Sequence, residues 1–124
     1  MNHFADKDMK DAMQSITSII ERGAKAQRNF AQGTAQYTLQ ANRIGALRIA
    51  LSLIKNELLE NGLKHEFLKE DLEKAVAPMA SLISKSEKAQ KKLTPGTWQH
   101  TMLKNNLEAL SIASQLLTKA LGEQ

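Results

Sequence analysis

The sequence predicts an all-α fold: an antiparallel up-down-up-down four-helix bundle built from two tandem helical hairpins. Three observations carry this expectation. Aromatic residues make up 4% of the 124 positions and Ala, Leu, Lys, Gln and Glu abound, so propensity favours helix over strand. Four segments space their apolar residues by three and four, the signature of one helix face. Finally, the chain matches itself at an offset of 63: Gly33-Thr34-Ala35-Gln36-Tyr37-Thr38 returns as Gly96-Thr97-Trp98-Gln99-His100-Thr101.

The first helix is expected over about 6 to 30, on Met9, Met13, Ile16 and Ile20 with Ala12 and Ile19 beside them. Gly33 can take the left-handed conformation that ends a helix, and Thr34 has a hydroxyl to cap the next. The second helix runs over about 34 to 61 on Ile44, Leu47, Leu51, Ile54 and Leu58, and stops at Asn61-Gly62. After a connector to His65, Phe67, Leu68, Leu72, Val76, Met79, Leu82 and Ile83 define a third helix over about 66 to 92. Pro78 lies inside it, where a kink or break is expected. Thr94-Pro95-Gly96 ends it, with Pro95 suited to the first turn of a fourth helix that reaches about 121 on Leu103, Leu107, Leu110, Leu117 and Leu121.

Residues 6–61 and 69–124 align without gaps and share 19 identical positions, among them Lys25/Lys88, Ala26/Ala89, Gln27/Gln90, Asn42/Asn105 and Leu47/Leu110. This reads as one hairpin used twice within a single domain, 1–124, with repeat one over about 6–61 and repeat two over about 69–124. The second helix carries a further apolar stripe, Leu39, Ala46, Ile49 and Leu53, roughly 120° from the first. The fourth repeats it with Met102, Ala109, Ile112 and Leu116. Two readings fit: each of these helices is wedged between both partners and its twin, or the second stripe is a homodimer or partner face.

No cysteine is present, so disulfides and thiolate metal sites are excluded. Met1 to Asp8 has no apolar signal-peptide core and no run is long enough to span a bilayer, so a cytoplasmic protein off the membrane is expected. His3, His65 and His100 have no metal-binding spacing, and phosphate-loop and dinucleotide motifs are lacking. The reading is therefore not an enzyme, with no catalytic residue, metal or cofactor. Asp8, Asp11, Glu70, Asp71 and Glu73 fall near helix starts, where carboxylates favour the positive helix end.

Charge is unevenly placed. Windows 22–29 and 85–92 hold Arg22, Lys25, Arg28, Lys85, Lys88, Lys91 and Lys92 against Glu87, so 7 − 1 = +6, while the remainder holds 10 basic and 12 acidic residues, −2. Cations there complement the negative helix ends, yet Lys25 and Lys88 fall far from the apolar stripe and packing does not require them. Gln27, Gln90, Gln36 and Gln99 are expected on core-facing sides near the two tips, where four amides would close one end of the core or form a polar mouth. The candidate anion or partner site is thus Lys25, Arg28, Lys88 and Lys91 with Thr34, Thr97, Gln36 and Gln99, and Trp98 is a candidate contact anchor. Few aromatics stand near the tips to stack bases, which disfavours nucleic acid. The function expected is a non-enzymatic binding or regulatory protein working by protein–protein contacts, through the basic tips or the second stripe, with an unidentified protein or a second copy. The alternative is a binder of a phosphorylated ligand or nucleic acid at the tip.

Overall fold

The computed structural model describes residues 4–59 and 67–122. Among these residues the chain forms four α-helices: α1 (Asp6–Gln27), α2 (Ala35–Leu59), α3 (Lys69–Lys91) and α4 (Trp98–Gly122). The stop expected at Asn61-Gly62 and the connector to His65 lie outside the described residues. No helix among them is long and apolar enough to cross a membrane.

Neither α1 nor α3 has a side-chain cap at its start; Ala5 and Leu68 precede them in extended conformation. Asp6 and Asp8, and Glu70 and Asp71, occupy the first turns instead, where their charge meets the free N–H groups. The two later helices begin differently. Thr34 Oγ1 accepts from the Tyr37 N–H at 3.2 Å and donates to the Ala31 carbonyl at 2.7 Å. Thr97 does the same, accepting from His100 N–H at 3.3 Å and donating to the Thr94 carbonyl at 2.8 Å. Both are N-caps as expected.

The glycines before them have a different role from the one expected. α1 already ends at Gln27 and α3 at Lys91, so Gly33 and Gly96 do not terminate those helices. Each instead sits third in a hydrogen-bonded β-turn, with Thr34 N–H on the Ala31 carbonyl at 3.2 Å and Thr97 N–H on the Thr94 carbonyl at 3.3 Å. Their φ values are 87° and 92°. A type II turn requires positive φ at this place and welcomes proline just before it, which is where Pro95 stands, ahead of α4 rather than in its first turn. Pro78 does not break α3, which continues through it.

The core follows the helical period. Met9, Ala12 and Ile16 of α1, and Leu72, Ala75, Met79 and Leu82 of α3, are buried single stripes. Val76 and Leu68, expected on the same face, are exposed, because Ala75 takes the core position that Val76 was assigned. α2 and α4 bury far wider faces. Each packs on α1, on α3 and on the other, while α1 and α3 make no contact among the described residues. Ala46, Leu53, Ala109, Ile112 and Leu116 of the second stripe are therefore interior, and Ile49 packs partly buried against them. Within one chain the second stripe is thus largely covered, with Leu39 its exposed member. Buried alanines at 46, 50, 109 and 113 leave room for α2 and α4 to approach.

Candidate functional site

The turns before α2 and α4 lead into a sparsely covered stretch of each helix. From Ala35 to Asn42 in α2, and from Trp98 to Asn105 in α4, no residue is buried. The core begins at the next position in each helix, and there stand Arg43, 9% exposed, and Asn106, 6% exposed, the buried polar side chains among the described residues. They are 63 positions apart. Arg43 continues the series Leu47, Ala50, Ile54 backwards by four, and Asn106 does the same for Leu110, Ala113 and Leu117, so helical phase alone carries both inward.

Arg43 reaches α3, where its Nη2 donates to Ser81 Oγ at 2.7 Å. Its Nε is shielded from solvent and has no partner. The ion pairs among the described residues are Lys7–Asp11 and Lys119–Glu57, so no carboxylate balances this guanidinium. An ion withdrawn from water without a counter-charge costs several kcal/mol, roughly, even after relaxation. The fold accepts a neutral amide at the matching place in α4. Packing does not require this charge.

Arg43 lines a groove of about 680 Å³ between α2 and α3, together with Ser81, Ser84, Lys85, Lys88 and Lys92 and the apolar walls Ala89 and Leu93. Four cations and no acid face this space. A related groove between α1 and α4 holds Ser18, Arg22 and Asn106 at the matching places, with Trp98, Thr101 and Met102. There the single cation, Arg22, points its Nη1 at Met102 Sδ, 3.5 Å away.

Of the residues expected at the site, Lys88 lines the α2–α3 groove, whereas Lys25, Arg28 and Lys91 are exposed outside it. Thr34 and Thr97 are occupied as caps. Gln36 and Gln99 are exposed, so the four amides do not close the core end; only Gln27 and Gln90 are half-buried. The reason is height along the bundle: the first two turns of α2 and α4 lie beyond the last buried layer, where Tyr37, Gln40, His100 and Met102 are only partly covered and Gln36 and Gln99 face solvent. Trp98 is 70% exposed, which removes packing as its explanation. Arg43 was missed because a basic residue one place before Ile44 reads as solvated, although the four-residue step from Leu47 was there to be seen. Among the described residues no three His, Cys, Asp or Glu side chains gather as a metal site would need. Comparison with protein-family models, curated proteins and solved structures finds no match.

Proposed function

We propose that the chain is a non-enzymatic helical binding protein whose basic end engages an acidic surface of a protein partner. The observation that carries this reading is the state of the charges: Arg22, Lys25, Arg28, Lys85, Lys88, Lys91 and Lys92 are all exposed, and none is in an ion pair among the described residues. Phe30, Leu39 and Trp98, three of the five exposed large hydrophobics among the described residues, lie in the adjoining turns and the first two helical turns. Exposed tryptophan and arginine beside open apolar surface is the composition of an interface centre. The absence of cysteine suits work in a reducing, cytoplasmic setting.

The same reading takes the bundle as antiparallel and as a duplicated hairpin, which places both turns at one end. Support comes from the 63-residue register, from the matching caps and turns, and from the paired core positions Met9/Leu72, Ala12/Ala75, Ile16/Met79, Leu47/Leu110 and Leu53/Leu116. Arg22, near the end of α1, also meets Met102, near the start of α4. Lys119 and Glu57 pair at 2.6 Å near the ends of α4 and α2.

The test compares proteins retained by the wild-type chain with those retained by a Lys25→Glu, Lys88→Glu double variant and by Trp98→Ala. Partners should be lost from both, and from wild type as salt rises. Retention of every partner by the double variant would overturn the reading.

A further inference from the structure

The α2–α3 groove differs from every other basic feature of the chain in having a fixed, buried cation at its floor. Lys85, Lys88 and Lys92 are exposed, and lysines alone define no ligand geometry. Arg43 does: it is nine-tenths buried, and the bond from its Nη2 to Ser81 Oγ at 2.7 Å orients the guanidinium. We propose that this groove is a binding site for the phosphoryl group of a phosphomonoester, with Arg43 as its floor and Lys85, Lys88 and Lys92 as its rim.

Three features select this chemistry. Four cations with no facing acid suit a group of charge near −2 better than a carboxylate, which leaves more of them unbalanced. Ser81 Oγ accepts from Arg43, so its own proton is free to donate to an oxyanion, and Ser84 adds a second hydroxyl to the lining. The groove is larger than a bare phosphate needs and has Ala89 and Leu93 on its wall, which fits an ester carrying an organic body. A ligand oxygen at the guanidinium supplies the counter-charge that the protein itself withholds. The matching α1–α4 groove, with Asn106 in place of Arg43, keeps one cation and is not expected to bind the same group.

The site shares Lys85, Lys88 and Lys92 with the partner surface proposed above and is distinguished from it by Arg43, which is buried: Arg43→Met should remove the phosphoryl site and leave partner binding in place. Its test is a titration of the intact chain with phenyl phosphate, and separately with benzoate, at low ionic strength, following the Arg43 Nε–H resonance and the heat of binding. Phenyl phosphate should give a saturable shift of that resonance and bind about tenfold more tightly than benzoate, the difference expected from one further charge-assisted hydrogen bond. Arg43→Met should lose about tenfold or more. Lys88→Gln with Lys92→Gln, both at exposed positions, should weaken binding in the same direction, whereas Lys10→Gln with Lys55→Gln, an equal charge change at exposed positions outside the groove, should not. A phosphoserine peptide binding more tightly than phenyl phosphate would identify a phosphorylated protein as the source, and the reverse a free small molecule. Equal affinity for benzoate, no saturable shift at Arg43, or full binding by Arg43→Met would overturn the site.

Discussion

Arg43 is where stability and binding pull apart. A guanidinium buried without a carboxylate is unfavourable for folding, and its hydrogen bond to Ser81 offsets only part of that. Arg43→Met keeps the length of the side chain and removes the charge, so urea unfolding should show the variant more stable by about 1–3 kcal/mol. A loss of more than about 1 kcal/mol would mean that the guanidinium is better satisfied than the structure indicates. The glycines make a second contrast at this scale. A Cβ at Gly33 meets no heavy atom within 4 Å, yet φ is 87°, so Gly33→Ala should cost about 1–2 kcal/mol from the backbone alone. Gly45 also has open space around it but lies in regular helix, so Gly45→Ala should stabilise by about 0.5–1 kcal/mol. Opposite signs for two equally uncrowded glycines, read by the same urea curves, would isolate the conformational term.

Within the elements, α3 carries the main departure from its counterpart. Pro78 stands where α1 has Ser15, and the helix continues through it. Proline has no N–H to offer the Lys74 carbonyl and crowds it, a penalty of up to about 3 kcal/mol in a helix interior. Flanking burial of Ala75, Met79 and Leu82 holds the helix together across this point. Pro78→Ala should therefore raise the denaturation midpoint, by the equivalent of about 1–3 kcal/mol, without changing helical content by circular dichroism. A drop in stability would show that proline is shaping the turn for packing. The helix starts show the same balance of local and distant effects. Thr34 and Thr97 complete their caps within three residues of chain, which is why the two threonines could be read directly as caps.

For the molecule as a whole, the contact between α2 and α4 is decisive. Because these two helices meet, each must be apolar on a broad front, and the surplus that suggested a dimer face is used inside one chain. Among the described residues the exposed large hydrophobics, Phe30, Leu39, Leu68, Val76 and Trp98, form no stripe at helical spacing on one helix. Native mass spectrometry should find a species of 13.7 kDa, and a stable form at twice that mass would require an interface made from the basic end or its exposed Trp98. The charge distribution also belongs to this scale: helix ends that are far apart in sequence contribute the +6 of the two windows, and like charges left unpaired make any association through them sensitive to salt.

The sequence by itself determined the helices, most of their core phase, and the threonine caps with a left-handed glycine before each. Each of these rests on local physics: a period of 3.6 residues brings Met9, Ala12 and Ile16 to one face, and positive φ selects Gly33 and Gly96 within four-residue turns. It could not determine how far the helices overlap, and so placed Gln36 and Gln99 against a core that ends one layer below them. Nor could it say which helices touch, and thus whether the second stripe was covered. Arg43 lay between the two cases. Its inward phase was legible from Leu47, but its lack of a counter-charge and its place above Ser81, Lys85 and Lys88 arise only when α3 packs against α2, 38 residues away along the chain at the Ser81 bond. Burial of a charge depends on its neighbours in space, and those the tertiary structure alone supplied.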